Sequence, residues 1–501
     1  MNYQSLSKDL EFLSEHLQNS EWAANALLNL SKPTQENLLK YTKSFKKIGR
    51  WKLFTQAFAF LPRMVARIVL CLLLSVLTPW EWMRKRNREN LQFDWLIVSN
   101  TSNLRSSNSV DSVMGHFAVI IKGEIAYLYL NAELTSTRAR KKLSHFCLKK
   151  NVFICPKTES PVNTARQLVK NMVAVFEAIQ IFVKVKETNR QQKYLLLSVA
   201  VAQFSRQTMT NSLIGKEVSR ISGEINAKNL IYSYEGNAHE LSILVKLGSK
   251  TIRKFPYQHA PIVGSQFGLT SEMRLFKDNI SVLTSGLVTK KYFQKIQNDL
   301  NLHFPIIEAG SSKFTVNNFG SSGMTPSKSD CILFLPEADF DLFQESFEIM
   351  RMLAKSFKNL RFVIRKHPSM IIPRRALKNL MGDLPKNCSI SSLSLFEDFQ
   401  RSIICVFRSS AAAIEAASFG IYPVHIDFKN DFHLNPLDER FFKAKTLVAH
   451  SHEELVELLQ SLLSDDFEEA DELKTQMRIF AENYFSNPDN SEFREYLERI
   501  S

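Results

Sequence analysis

The stretch IICVFRSSAAAIEAASFG at residues 403–420 contains a complete strand, turn and helix. Residues 403–407 are all apolar and mostly branched or aromatic, which predicts a short buried strand. Ser409 and Ser410 follow that strand and open an alanine-rich helix, which Gly420 ends. A buried strand that leads directly into a helix is typical of parallel sheets with crossover helices, so the stretch predicts an α/β fold.

The same kind of unit recurs on both sides of a polar segment at residues 311–330. That segment is rich in Ser, Gly, Asn, Lys and Pro and has almost no apolar period, so we predict a linker there. The 501 residues also exceed what one compact core usually holds. We therefore predict a helical, membrane-proximal segment at 1–90, a Rossmann-like domain at 91–310, the linker, and a second Rossmann-like domain at 331–501.

Short apolar runs and segments of helical length alternate within both predicted domains. In the first domain this pattern predicts strands at 95–99, 117–121, 126–130, 152–155, 230–234, 251–257 and 281–284, with helices at 165–183, 237–247 and 290–300. In the second it predicts strands at 331–335, 361–365, 403–407 and 422–426, with helices at 340–357, 395–402, 411–419 and 452–463.

The overall composition is that of a globular protein. Apolar residues make up 45% of the chain and charged residues 23%, which argues against a disordered chain or one with many membrane spans. The six cysteines form no C-x-x-C pair, which predicts reduced thiols in the cytosol. The first residues do not form a basic stub followed by an apolar core, so no secretory signal is predicted and the body is expected to be cytoplasmic.

The net charge of +14 is concentrated around the most apolar part of the chain. Lysines and arginines cluster on both sides of residues 63–78, within the wider range 43–88. A helix of these 16 residues would be about 24 Å long, shorter than the roughly 30 Å hydrocarbon core. We predict that 43–88 lies on the inner face of the cell membrane as a peripheral contact, with a buried core helix as the alternative. Nucleic acid is not a predicted partner.

Two polar residues follow predicted strands of the first domain. Glu235 comes after residues 230–234 and is followed by Gly236, and His259 comes after the strand at 251–257. Ligands of doubly wound sheets bind beyond the carboxyl ends of the strands. A carboxylate held there can take a proton from an acceptor hydroxyl, so Glu235 is the predicted catalytic base and His259 the reserve candidate. The alternative is that Glu235 only favours the start of the next helix.

Phosphate-compatible groups follow two strands of the second domain. Strand ends of that kind can bind an anion through cations, hydroxyls and free backbone N–H groups. A solvated basic turn and ordinary helix capping are the alternatives. The predicted nucleotide-sugar-binding residues are Arg365, His367, Pro368, Ser409, Ser410 and Glu415.

Several other kinds of site are not predicted. The chain has no G-x-x-x-x-G-K-[ST], G-x-G-x-x-G or G-x-S-x-G motif, which argues against simple kinase, dinucleotide and hydrolase functions. Asp339 and Asp341 are interpreted as acids at a helix start rather than as metal ligands. The spacing of the histidines does not form a zinc set. No metal and no cofactor is predicted.

Three of these motifs carry a resemblance to known transferases. His367-Pro368 and Ser409-Ser410 resemble the HP and S/T-S motifs of bacterial sialyltransferases and of the related transferases of Kdo-like acids. Tyr234-Glu235-Gly236 is similar to their acidic D/E-D/E-G motif, although Tyr234 replaces the first acid. Residues 234–240, 257–260 and 434–437 also resemble bacterial surface-carbohydrate biosynthesis proteins of GT-B type, except that His239 stands where those proteins have tryptophan.

The resemblance implies a GT-B-like fold with two Rossmann-like domains facing a cleft. It implies a glycosyltransferase that uses a nucleotide-activated sugar, with a CMP-linked sialic-acid-like or Kdo-like donor preferred to a UDP-linked one. The acceptor would be a glycan or a lipid-linked precursor of a surface polysaccharide such as lipopolysaccharide or capsule. It assigns base catalysis to Glu235, contact with CMP to His367, and the phosphate to Ser409 and Ser410. The alternatives are a sugar-nucleotide 2-epimerase or a non-catalytic membrane-surface assembly factor.

Overall fold

The structure is a computed structural model of the 501-residue chain. It describes two α/β halves and the chain segment that connects their ends. The described ranges are 91–100, 111–130, 151–155, 162–169, 206–248, 250–262, 279–314, 330–337, 340–367, 374–382, 384–428, 435–437, 447–464 and 470–500, together with a few single positions.

The first half is built on a seven-stranded sheet in which every pair of neighbours is parallel. Its spatial order is β3-β2-β1-β4-β5-β6-β7, which begins with the doubly wound order 3-2-1-4-5-6. The strands are β1 Trp95–Asn100, β2 Ile125–Leu130, β3 Val152–Ile154, β4 Asn229–Ser233, β5 Arg253–Gln258, β6 Val282–Thr284 and β7 Ile306–Glu308.

Helices cover this sheet, so its central strands are buried along almost their whole length. All five residues of β4 are buried, as are five of the six in β1. Such continuous apolar runs are expected of parallel strands packed on both faces. The described helices of this half are α1 Phe117–Ile120, α2 Arg206–Glu224, α3 Ala238–Leu247 and α4 Leu287–Asp299, and residues 162–169 are also helical.

The second half repeats the architecture with a six-stranded parallel sheet in the order β10-β9-β8-β11-β12-β13. Its strands are β8 Cys331–Leu335, β9 Arg361–Ile364, β10 Cys388–Ile390, β11 Ser402–Phe407, β12 Tyr422–Ile426 and β13 Leu447–Ala449. Its helices are α5 Phe340–Ser356, α6 Arg374–Met381, α7 Leu395–Gln400, α8 Ala412–Ser418, α9 His452–Leu463 and α10 Ala470–Tyr484.

The last helix, α11 Glu492–Ile500, packs on the first sheet rather than on the second. Its Phe493 is fully buried in a cluster with Trp95 and Phe255. The chain crosses between the halves just before this helix, where Ser486 bonds through its backbone to Ser285. Residues 492–500 therefore belong to the core of the first half, although they lie in the range predicted for the second.

Gly310 is required where the chain leaves the first half. Its backbone has φ = 74°, in the left-handed region that side chains disfavour. A Cβ there would also come within 2.5 Å of Cα of Pro488, which precedes α11. The close approach fixes the crossing segment against the end of the first half.

Most predicted strands and helices that fall on described residues are present, within a few residues of the predicted bounds. The helix predicted at 165–183 is described only over 165–169 and at 172, which are helical, and the linker predicted at 311–330 lies mostly outside the described residues. The strand predicted at 117–121 is wrong, since 117–120 form α1. The elements not predicted from the sequence pattern are β7, β10, β13, α2, α6, α10 and α11. The three missed strands have three residues each, too short for a period of two to be visible in the sequence.

The membrane-proximal prediction for 43–88 lies outside the described residues, apart from four single positions. In the part of the chain that the structure describes, no helix combines the length and the apolar character needed to cross a bilayer. Four of the six cysteines are described, and each is a buried free thiol (Cys155, Cys331, Cys388 and Cys405).

Candidate functional site

Each sheet has a point at which its strand order reverses, and ligands of doubly wound folds bind there beyond the carboxyl ends. In the first sheet the reversal lies between β1 and β4, and β4 leads directly to Glu235. In the second it lies between β8 and β11, which lead to Glu337 and Ser409. Predicted site residues thus occupy corresponding places in the two halves.

Glu235 and His259 form a close pair beyond β4 and β5. Ser233 pairs with Tyr257 in the strand register, so each member of the pair lies two residues past a matched position. Oε1 of Glu235 is 2.9 Å from Nε2 of His259. The Glu235 side chain is 30% exposed and that of His259 17%. The structure therefore brings together the two residues predicted to be catalytic.

The turn after Glu235 is fixed by a glycine and a buried capping box. Gly236 has φ = 75°, which lets the chain reverse without strain between Glu235 and the first residue of α3. Oε2 of Glu240 accepts the backbone N–H groups of Glu235 and Asn237, both at 2.8 Å. Oε1 of Glu240 accepts the Asn237 side-chain amide, also at 2.8 Å. Glu240 thus holds the backbone that carries the candidate base.

Glu240 is completely buried, which changes its acidity. Burial, with added repulsion from Glu235, raises the pKa of Glu240 to about 8. The raised pKa favours the neutral form of Glu240, which lies beside the more exposed carboxyl of Glu235. Glu240 lies within the motif at 234–240, but no role was predicted for it. Its position three residues after Asn237 was the available signal.

Aromatic rings enclose the side of the pair formed by His259. The Tyr257 and His259 rings stack at 5.9 Å, and the ring of His116 lies 5.4 Å from that of Tyr257. Burial lowers the pKa of His116 to about 3, with a contribution from the neighbouring His259. His116 is therefore neutral at physiological pH. Its place in the site could not be predicted, because its contact with Tyr257 spans more than a hundred residues.

The second half places Ser409 against a carboxylate. Its hydroxyl donates to Oε1 of Glu337 at 2.9 Å, which joins the ends of the neighbouring strands β11 and β8. Ser410 lies beside it, and its Oγ accepts the backbone N–H of Ala412 at 3.4 Å. The reversal point of this sheet therefore carries two hydroxyls and one acid. Glu337 was not among the predicted site residues.

Arg365 and His367 follow β9, on the other side of β8. The Arg365 guanidinium donates to Oδ2 of the buried Asp398 at 2.6 Å and to the Leu393 carbonyl at 2.7 Å. Burial lowers the pKa of His367, so it is neutral at physiological pH. Pro368 lies outside the described residues. Arg365 thus makes a structural ion pair with Asp398, and its contact with a nucleotide stays a prediction.

Glu415 is held by a cation that lies outside the second sheet. Lys313 Nζ lies 2.8 Å from Oε1 of Glu415 and 4.9 Å from the centre of the Phe485 ring. Ser312, beside it, donates its hydroxyl to the backbone of Ser112. This pair links α8 of the second half to the end of the first. Over the described residues, no group of three or more His, Cys, Asp or Glu side chains could hold a metal ion.

No protein-family profile matches the chain, and no curated protein matches it. Among solved structures, it is similar to a candidate UDP-N-acetylglucosamine 2-epimerase from Listeria monocytogenes, with TM-score 0.50 and 10% identity over 80% of this chain and 94% of that one. A UDP-GlcNAc 2-epimerase from Neisseria meningitidis gives 0.45, with 10% identity over 81% and 98%. The glycosyltransferase SnogD from Streptomyces nogalater gives 0.48, with 9% identity over 82% and 100%.

At identities near 10%, such similarity shows the fold alone, and we infer the fold from the similarity to the Listeria protein. It agrees with the two parallel sheets and their matching strand orders. The chain has a GT-B-like fold of two Rossmann-like α/β domains.

Proposed function

We propose that the chain is an enzyme acting on a nucleotide-activated sugar, with the nucleotide held by the second half and the sugar chemistry carried out at Glu235. The observation that carries this proposal is the Glu235–His259 pair at the strand-order reversal of the first sheet. A paired acid and imidazole at a ligand-binding edge is suited to proton transfer.

Burial distinguishes the roles within the pair. Nδ1 of His259 is buried and has no hydrogen-bond partner among the described residues, so it is shielded from a substrate. The more exposed Glu235 carboxylate can reach an acceptor hydroxyl, while Nε2 of His259 orients it. In the proposed glycosyl transfer, Glu235 takes the hydroxyl proton as that oxygen attacks the anomeric carbon. The nucleotide leaves with the electrons of the broken bond.

For the nucleotide we propose contacts with His367, Ser409 and Ser410, supported by their places beyond β9 and β11. The hydroxyl of Ser409 would turn from Glu337 to a phosphate oxygen, and Glu337 would then accept from a ribose hydroxyl. Arg365 and Glu415 would support these residues through Asp398 and Lys313. We propose a UDP-linked donor ahead of the CMP-linked one, because the Listeria protein is named for a UDP sugar.

A 2-epimerase is the second candidate, favoured by the name of that same neighbour. The two reactions differ in what they need. An epimerase must break and remake a C–H bond at C2 of the sugar without any acceptor, whereas a transferase releases nucleotide only as an acceptor hydroxyl attacks. A non-catalytic assembly factor would do neither and would bind no nucleotide.

The test is to incubate the full chain with UDP-N-acetylglucosamine in D₂O, with and without a glycan acceptor. Acceptor-dependent release of UDP supports the transferase. Deuterium at C2 without acceptor supports the epimerase and removes the transferase. Failure of every UDP and CMP sugar to bind or react would refute the proposal.

A further inference from the structure

A large pocket lies at the edge of the first sheet opposite the candidate site. It has a volume of about 1100 Å³ and is lined at the amino ends of β1, β4 and β5 by Trp95, Asn229 and Arg253. The strands are parallel, so Glu235 lies beyond the other end of β4. Five residues at about 3.3 Å each separate the two edges by roughly 16 Å. The pocket is therefore distinct from the Glu235–His259 site.

The lining of this pocket is basic. Its described residues include five cations but only two carboxylates, and the cations come from separate parts of the fold. Lys122 follows α1, Lys228 precedes β4 and Lys250 follows α3. Arg253 begins β5, and Arg494 lies in α11. The carboxylates are Asp94 and Glu498. Cations that converge from five elements favour an anionic ligand.

These cations retain donors for a ligand. The Lys122 and Lys228 side chains are 91% and 76% exposed. Lys228 donates to Oδ1 of Asp94 at 3.1 Å, and Lys250 donates to the carbonyl and hydroxyl oxygens of Ser219. An ammonium has three N–H donors, so each of these two lysines keeps at least one for a ligand. Arg253 and Arg494 each donate through NH1 to a main-chain oxygen. A guanidinium has five N–H donors, so these bonds leave others for an anion.

Asn229 adds a hydrogen-bond acceptor to this lining of donors. Its Oδ1 is buried and accepts from no donor among the described residues, although its amide nitrogen donates to the Asp94 carbonyl. A buried acceptor without a donor is costly, and a ligand hydroxyl would satisfy it. The lining therefore fits a ligand that carries both a phosphate and a hydroxyl.

We propose that this pocket binds a phosphate-bearing ligand, from either an anionic phospholipid headgroup or a soluble phosphate. The lipid source has a geometric argument. Arg88 ends the basic range predicted to lie on the membrane, and only six residues separate it from Trp95 at the pocket. Seven residue steps span at most about 25 Å, so a membrane contact at 43–88 would bring the lipid surface close to the pocket.

The test compares two variants of the full chain that lose the same charge. Lys228→Gln with Lys250→Gln changes the pocket, while Lys355→Gln with Lys358→Gln changes exposed lysines of the second half. Vesicles of phosphatidylcholine, with and without phosphatidylglycerol, test the lipid source by co-sedimentation. Pyrophosphate tests the soluble source by thermal shift, in a Ser410→Ala background so that the proposed nucleotide site contributes little.

We expect binding to fall about 30-fold in the pocket variant, since each cation near an anionic surface contributes about fivefold. The control should bind like the parent. Loss confined to vesicles identifies a lipid headgroup, and loss confined to pyrophosphate a soluble ligand. The proposal is overturned if the parent binds neither or if the pocket variant binds like the control. Should the double variant fail to fold, Arg494→Gln on the exposed side of α11 replaces it under the same criteria.

Discussion

The two points at which the strand order reverses have the same topology but carry different chemical groups. Beyond β4, Glu235 pairs with an imidazole and lies above the buried acid Glu240, whose pKa is raised to about 8. Beyond β8 and β11, Ser409 donates to Glu337, and nearby polar groups are held in ion pairs. The first arrangement brings together groups that can give or take a proton. The second holds hydroxyl and carboxylate groups that can form hydrogen bonds with a ligand.

The comparison teaches that a shared fold does not decide which half performs the chemistry. Parallel strands bring polar residues to one edge in both halves. What differs is the set of groups at the reversal point: a carboxyl–imidazole pair beside a buried acid in the first half, and two hydroxyls beside one carboxylate in the second. We therefore propose proton transfer in the first half and nucleotide binding in the second.

The largest expected effect is on turnover. Glu235→Gln should lower the transfer rate about 10²- to 10⁴-fold, because it removes the proposed base. Steady-state kinetics with the active donor measure it, and nucleotide affinity should stay near the parent value. Glu124→Gln, an exposed acid at the opposite edge of the sheet, is the control. If Glu235→Gln turns over like the parent while His259→Ala is folded but inactive, His259 is the base instead of Glu235.

A stability measurement tests the structural part of the second site. Arg365→Gln should lower the free energy of unfolding by about 3–5 kcal/mol, because it leaves the carboxylate of Asp398, only 3% exposed, without its cation. Denaturant unfolding measures the loss. Arg351→Gln removes a cation from a more exposed pair and should change stability by less than about 1 kcal/mol. Equal stability of the two variants would argue that Arg365 serves only a ligand.

The third prediction concerns the pH dependence of stability. The folded pKa of Glu240 is raised above its ordinary 4.5 to about 8, so the folded protein holds a proton that the unfolded chain releases. That contribution to stability is complete below pH 4.5 and is lost as pH rises toward 8. Glu240→Gln should therefore flatten the fall of Tm between pH 5 and 8.

The matched control is the exposed capping box of α7. Hydrogen bonds from Ser394 lower the pKa of Glu397, so its contribution is present above pH 4.5 and lost at lower pH. Glu397→Gln should leave the slope between pH 5 and 8 unchanged. Identical slopes in all three proteins would mean that Glu240 is ionised in the folded state.

Much of the fold could be predicted from the sequence because long buried strands and capped helices leave local patterns. The strand at 403–407 and the helix at 237–247 are examples. The packing of α11 on the first sheet could not be predicted. The apolar pattern around Phe493 indicates a buried helix face, but it does not indicate which sheet that face contacts.

The candidate site followed a similar rule. Glu235 and His259 could be proposed because each follows a visible strand, but their pairing depends on the register of β4 against β5. Glu337, His116 and Lys313 were missed because their roles come from contacts between distant segments. Sequence patterns locate strand ends, whereas the partners across those ends depend on tertiary packing.

The central claim is that the second half binds the nucleotide and the first half transfers the proton. Nucleotide titration of three proteins tests it most directly. UDP should bind the parent and Glu235→Gln with equal affinity in calorimetry. The double variant Ser410→Ala with His367→Ala should bind about 100-fold more weakly, because two hydrogen bonds to the nucleotide are lost. If UDP and CMP bind the folded double variant as tightly as the parent, or if Glu235→Gln alone abolishes binding, the account is contradicted.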